Sequence, residues 1–303
     1  MTLRIIEPFA ITAANVDNGT TNVALETAWT AGTYTLGTVR RVNERLFEVS
    51  AASTTQDPGL ATSTEWFDAG PANRYAAFDI QLGADKYRVI DTLTTRATPI
   101  IYRLTGLPRL SAMAFFGLAC TQIKIYATLS IAGDEADVTY DIPSVTQYQA
   151  SFWRWSFLPQ SFERTYANFD LDIAAGSTID ITITNTGGIS EVNTVAMGIA
   201  AYFGVVEVTS KRSLRSRSVK KTEGTLTSLL RRAPASRVGY MVHLDEYIAG
   251  PFWRAIDDLD GVAAVFSGPT ENQELLAYGF VTSCQTVSDV RGISKVQLEV
   301  ETL

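Results

Sequence analysis

The residues best suited to chemistry in this chain are three aromatic rings near its amino end, Trp29, Tyr34 and Trp66. They belong to a stretch that reads Trp29-Thr30-Ala31-Gly32-Thr33-Tyr34-Thr35-Leu36-Gly37-Thr38-Val39, then Phe47, then Asp57-Pro58, then Glu65-Trp66-Phe67-Asp68. Aromatics separated by tight Gly turns describe a small β-module with little else to bury. A ring left on its surface is a flat apolar plate on which the C–H face of a pyranose stacks. Two readings stand side by side. Trp29, Tyr34 and Trp66 form a sugar-stacking platform, or the same rings are simply the module's core. Phe47 reads as core rather than plate.

Other groupings offer less. In Phe152-Trp153-Arg154-Trp155-Ser156-Phe157, a period of two puts Trp153, Trp155 and Phe157 on one strand face, either buried in a sheet core or turned to a contact. Gly133-Asp134-Glu135-Ala136-Asp137 gathers three carboxylates, but without the spacing of a calcium loop, and reads as a solvated hairpin turn. The one histidine, His243, sits in an alternating strand pattern, and Asp257, Asp258 and Asp260 supply carboxylates at a helix end. No nucleophile elbow, phosphate loop or paired-histidine motif appears, so neither catalytic residues nor a metal or other cofactor are expected. Cys120 and Cys284 lie far apart and read as buried free thiols.

Charge is unevenly spread. Between Thr209 and Arg237 there are nine basic residues and one acid, Glu223, which makes the segment +8 and leaves −15 on the remainder of a chain whose net charge is −7. Lys211, Arg212, Arg215, Arg217, Lys220 and Lys221 lead this run. It lacks interleaved aromatics and any recognisable reader fold, so a subunit contact is expected rather than nucleic acid.

The elements that must position these groups are mostly strands. Gln122–Ile131 alternates with Ile123, Ile125, Ala127, Leu129 and Ile131 on one face, and Ile179–Thr184 alternates up to a turn at Asn185-Thr186-Gly187-Gly188. The continuous apolar run of Val195–Val208 suits a strand covered on both faces. A short helix is expected over Pro251–Leu259, with Pro251 in its first turn and Phe252, Ile256 and Leu259 on one face. A turn is expected at Tyr278-Gly279-Phe280, and Val296–Glu301 closes the chain as an alternating strand. The expected fold is mostly β in three parts. Residues 1–74 hold an N-terminal arm and the aromatic module, ending in a hinge at Gly70-Pro71-Ala72-Asn73. Residues 75–209 form an antiparallel, jelly-roll-like β-sandwich, and residues 210–303 a β-rich α+β assembly domain. No apolar run is long enough to span a membrane. The Met1–Pro8 segment lacks a signal peptide's apolar core, which gives an expectation of synthesis in a cytoplasm.

The Trp29-to-Trp66 pattern resembles the small chitin-binding-type carbohydrate modules, in which a Trp, a Gly-Thr-Tyr turn, Gly-x-Val, a later aromatic and a closing Trp follow in that order. The family usually has Tyr where Phe47 stands. The Arg4-Ile5-Ile6-Glu7-Pro8-Phe9-Ala10-Ile11-Thr12 arm, the module and then Trp66-Phe67-Asp68-Ala69-Gly70-Pro71-Ala72-Asn73-Arg74-Tyr75-Ala76-Ala77-Phe78-Asp79 together resemble structural proteins encoded among the tail genes of tailed bacteriophages. That resemblance implies a non-enzymatic tail-tip or baseplate component. It would be made in host cytoplasm and carried in the virion, as a ring of like subunits contacting other tail proteins and host surface glycans. In such an assembly the arm, with Ile5, Ile6 and Phe9 exposed in a lone subunit, would be paired by strand addition. The competing reading is a glycan hydrolase, a tail-associated depolymerase with an appended binding module.

Overall fold

The computed structural model describes residues 2–60, 62–81, 92–128, 135–142, 163–207, 209–215, 219–223, 226–230, 235–268, 275–290 and 292–303. The protein is mostly β, with several antiparallel sheets, the largest of nine strands, and one α-helix among the described residues. In chain order the strands begin with β1 (Thr2–Pro8), β2 (Tyr34–Thr35), β3 (Val39–Val42), β4 (Arg45–Val49), β5 (Ser53–Thr54) and β6 (Trp66–Pro71). A 3₁₀ turn over Ala76–Gln81 leads to β7 (Thr94–Ala97), β8 (Ile100–Leu104), β9 (Ala112–Phe116) and β10 (Gln122–Thr128). Then come β11 (Glu135–Asp141), β12 (Thr165–Asn168), β13 (Thr178–Thr184) and β14 (Ile189–Val192). The last third holds β15 (Thr194–Val206), β16 (Lys211–Arg215), β17 (Val219–Glu223), β18 (Leu226–Leu230) and β19 (Ala235–Asp245). It ends with α1 (Glu246–Asp258), β20 (Ala264–Ser267), β21 (Leu276–Val290) and β22 (Ile293–Thr302). None of the described helical residues forms a segment long and apolar enough to cross a membrane.

Two compact units result, Met1–Pro8 with Ala196–Leu303, and Phe9–Val195. In the first, β15, β1, β20, β21, β22 and β19 are neighbours in that order. β19 then pairs back onto β15 through Val205↔His243 and Val206↔Val242, so the six strands close on themselves. Closure removes the exposed edges that an open sheet would offer. Alternation along each strand sends Leu3, Ile5, Phe203, Val238, Tyr240, Val242, Phe266, Val296, Leu298 and Val300 into one shared core. The Tyr240 hydroxyl donates to the carbonyl of Leu275 at 2.6 Å, so its polar tip is satisfied inside that core.

The expected free arm is instead a strand of this barrel. β1 lies between β15 and β20, and Ile5 and Ile6 are 3% and 0% exposed. The chain's own later strands supply both of its hydrogen-bonding partners, so nothing on β1 is left for strand addition. The Val195–Val208 run is also only partly as expected. Thr194 to Gly198 are covered on both faces, but Ile199, Tyr202 and Val205 turn outward, at 56%, 48% and 53% exposure. Gly204 is needed at the closure itself. Its φ is +40°, and a Cβ there would meet the His243 carbonyl oxygen at 2.1 Å.

The helix also corrects the sequence reading. It begins at Glu246, directly after β19, and Pro251 lies inside it rather than in its first turn. Pro fixes a favourable φ but does not by itself set the start; the end of the strand at Asp245 does. Phe252, Ile256 and Leu259 share one face as expected and enter the barrel core, where Phe252 meets the ring of Phe203 edge-on at 5.4 Å. Tyr278-Gly279-Phe280 forms no turn. It runs inside β21, where Gly279 lets the backbone of Glu301 approach to a position a side chain would occupy.

The second unit contains a four-stranded sheet in the order β11-β10-β13-β8, and an antiparallel β12–β9 pair. Alternation holds here as read: Ile123, Ile125 and Ala127 on β10, and Ile179, Ile181 and Ile183 on β13, are buried, while their neighbours face out. The ring of Tyr166 on β12 stacks between Tyr140 on β11, at 4.1 Å, and Phe115 on β9, at 6.1 Å. Residues 15–22 run along β8 and take up its edge hydrogen bonds, through Asp17 N–H to Arg103 and Asn22 N–H to Ile101.

No hinge separates the aromatic module from this sheet. Gly70 and Pro71 are buried in β6, and Asn73 is locked by two hydrogen bonds with the backbone of Thr95. The Thr94 hydroxyl donates to the Asn73 carbonyl at 2.8 Å and accepts from the Ala77 N–H and the Tyr102 hydroxyl. Arg74, 9% exposed, donates to the Val23 carbonyl and to Asn18. The Asn73-to-Phe78 stretch is therefore a buried clamp rather than a linker. Replacing Thr94 with Val would orphan two buried donors and is expected to cost about 1–3 kcal/mol. Gly204→Ala is expected to cost roughly 3 kcal/mol or more by overpacking and strain at the closure. Chemical denaturation of each variant measures both losses.

Candidate functional site

The aromatic module consists of the sheet β3-β4-β6 with the short pair β2–β5. Trp66 opens β6 and points inward; it is 7% exposed, and its indole N–H donates to the Gln56 carbonyl at 3.0 Å. The structure brings Tyr34 against it, ring centroids 5.6 Å apart in an edge-on arrangement. Above Tyr34 sits the guanidinium of Arg40, 4.8 Å from the ring centroid. The Tyr34 hydroxyl donates to the Thr30 carbonyl at 2.6 Å and accepts from the Thr30 N–H. Hydrogen bonding from Thr30 holds this phenol below its ordinary pKa.

Trp29 lies next to Thr30, anchored by its backbone N–H on the Arg41 carbonyl at 2.8 Å. Its ring is half-buried, and its indole nitrogen is shielded from solvent without a hydrogen-bond partner among the described residues. The three rings are thus one local group, but not one open plate. Trp66 serves the core, and only Trp29 and Tyr34 keep surface toward solvent. Phe67, beside Trp66 on the opposite face of β6, is 49% exposed and is a ring the sequence reading passed over. The signal was there: alternation that buries Trp66 must expose its successor. Phe47 is half-buried on β4.

The basic run lies on a ribbon. β16 carries Lys211, Arg212 and Arg215 and pairs with the first part of β19. β17 carries Lys220 and Lys221 and, among the described residues, pairs with β18 alone. Lys211 and Arg212 are exposed, Arg212 reaching the Ser236 hydroxyl at 3.2 Å. Arg217 lies outside the described residues, as do Trp153, Trp155 and Phe157 and the Gly133-Asp134 half of the acidic turn. Asp137, from the other half, pairs with Lys124 across two strands at 3.2 Å. Asp257, Asp258 and Asp260 are exposed at the carboxyl end of α1 and beyond. Among the described residues, no group of three or more His, Cys, Asp or Glu is arranged to hold a metal ion.

Both cysteines are free, Cys120 buried and Cys284 half-buried rather than buried. Desolvation pushes each thiol up to about 12, which leaves little thiolate at neutral pH.

His243 faces outward from β19 beside the barrel closure. Glu207, in the bend between β15 and β16, accepts hydrogen bonds from Lys295 at 2.7 Å, from the Thr209 hydroxyl at 2.7 Å and from His243. Lys295, then Thr209 and His243, hold the Glu207 carboxyl at about 2, against an ordinary 4.5. A carboxylate held low in the folded state stabilises it above its unfolded pKa and loses that contribution as pH falls. The loss falls between about pH 4.5 and about 2. Glu207→Gln is expected to lower stability above about pH 4.5 and to flatten the acid-side decline between about pH 4.5 and about 2, as read by thermal melts at stepped pH. In the aromatic module, Trp66→Ala is expected to cost about 3–5 kcal/mol, the loss of a core ring, whereas Trp29→Ala is expected to leave folding nearly intact. Comparison with family models, with curated proteins and with solved structures finds no match for this chain.

Proposed function

We propose that this protein is a non-catalytic structural subunit of a bacteriophage tail, at the tail tip or baseplate. It would be synthesised in host cytoplasm, carried in the virion, and assembled as a ring with like subunits and other tail proteins. The finer fold reading belongs with this proposal. The four-stranded sheet and the β9–β12 pair serve as the two layers of a jelly-roll-like sandwich, and the Trp29–Trp66 region as a carbohydrate-module-like display.

One observation carries the reading. The C-terminal unit leaves Ile199, Tyr202 and Val205 of β15 exposed, and its basic residues run on from β16 into a two-stranded ribbon. A two-stranded ribbon without a third strand gains little stability on its own and gains more from a partner. The +8 segment and the −15 remainder of the chain suit head-to-tail contact between copies. The ribbon offers no aromatics between its basic residues, which argues for a protein partner over nucleic acid. Host glycans would be met at Trp29 and Tyr34, the two rings of the proposed platform that keep open surface. The platform is thereby reduced from the three rings of the sequence reading.

Sedimentation velocity at micromolar concentration tests the assembly. Self-association is expected at low salt, weakened by high salt and by Lys220→Glu with Lys221→Glu, and abolished by Tyr202→Glu. A monomer under all these conditions, unchanged by the substitutions, would sink the reading. Steady release of reducing ends from host polysaccharide would favour the hydrolase instead.

A further inference from the structure

The outward face of the four-stranded sheet in the Phe9–Val195 unit carries a second grouping, which the apolar face of the same strands overshadows. Tyr126 on β10 stands at its centre. Cross-strand register places Asp137 of β11 directly opposite it on one side and Asp180 of β13 on the other. Two residues earlier on β10, Lys124 lies opposite Thr182 of β13. These five residues line a shallow cleft of about 410 Å³ open to solvent.

The charges in the cleft are paired and held in place. Arg103 on β8 grips both oxygens of Asp180, at 2.7 and 2.6 Å, and Lys124 meets Asp137 at 3.2 Å. Arg103 is itself braced by the Thr20 hydroxyl at 3.2 Å. Arg103 and Lys124 offset Asp180 and Asp137, and Asp141 farther along the same face and Asp17 near Arg103 leave the surroundings acidic, which disfavours an anionic ligand. What remains is directional. Each carboxylate keeps lone pairs, the Lys124 ammonium keeps N–H groups, and the Thr182 hydroxyl both donates and accepts. The Tyr126 hydroxyl has no hydrogen-bond partner among the described residues, and its ring is half-exposed.

The geometry points to this face as a binding site for a neutral oligosaccharide. A ring flanked by fixed donors and acceptors matches a pyranose, which offers an apolar C–H face and a rim of hydroxyls that both give and take hydrogen bonds. Paired charges cost no reorganisation when a sugar hydroxyl joins them, because their partners already hold them in position. An open cleft on a sheet suits a chain lying across the strands rather than a small molecule enclosed in a cavity. The site binds rather than cleaves. Both oxygens of Asp180 already accept from a guanidinium, so the pair Asp137 and Asp180 lacks a proton donor for glycosidic bond breaking. The site is independent of the Trp29–Tyr34 surface and stands or falls without it.

A printed array of neutral and charged bacterial and plant glycans, probed with the bead-displayed protein, tests this. Calorimetry on the strongest neutral oligosaccharide then supplies the affinity. Neutral oligosaccharides are expected to be retained. Tyr126→Ala is expected to weaken affinity at least tenfold, with Tyr126→Phe within about threefold of wild type and Thr182→Val several-fold weaker. Trp29→Ala is expected to leave this affinity unchanged. Equal melting temperatures for the variants show that binding, not folding, is read. Retention of charged glycans alone, no retention of any glycan, or retention that follows Trp29 and ignores Tyr126 overturns the site. The last outcome would leave the aromatic-module reading standing, and the reverse pattern would do the opposite.

Discussion

The C-terminal unit depends on one close approach of two backbones, where Gly204 passes the His243 carbonyl at a distance no side chain allows. Because β15 can bend there, it takes up β19 while Val205 still pairs with Thr2 of β1, and an otherwise open sheet becomes a barrel. Several features follow from that bend. The interior of the barrel is filled by strand alternation and by Phe252 and Ile256 of the helix. Glu207 falls in the bend itself, where Lys295 and His243 reach it from the two neighbouring strands. The chain then continues from the bend into β16 and the basic residues beyond it. A strand that had stayed flat would have placed neither the carboxylate nor the ribbon where they are.

The N-terminal rings obey a different constraint. A module of short strands has few apolar side chains to bury, so one of its Trp residues must serve the interior. Trp66 does so, and Tyr34 is wedged between it and Arg40. The same economy leaves Phe67 outside. On the larger four-stranded sheet the isoleucines share the core with Tyr102 and Leu104 of β8, and Tyr126 stands on the outer face.

Much of this was legible in the sequence where the information is local. The alternation of Ile123 and Ile125, of Ile179 to Ile183 and of Val296 to Val300 gave the strands and their buried faces, and Phe252, Ile256 and Leu259 gave the helix face. What failed was non-local. Ile5 and Ile6 read as a free arm because the strands that flank them lie some 190 and 260 positions later in the chain. Gly70 and Pro71 read as a hinge because the hydrogen bonds that fix Asn73 come from Thr94 and Thr95, a pairing no pattern announces. The helix start was misplaced because Pro251 is a strong local signal, whereas the strand end at Asp245 is a weak one. Tyr126 escaped notice because attention to periodicity picks out the apolar partner of each pair and treats the other as solvated surface.

The pairing of Pro8 with Gly198 has a consequence for how the chain is organised. The whole Phe9–Val195 unit leaves one strand of the barrel and returns on the adjacent one, so its two ends emerge side by side. In topological terms it is a cassette inserted between two adjacent barrel strands. In chain order β1 precedes that cassette, and β15 and β20, the two strands that flank β1, follow it.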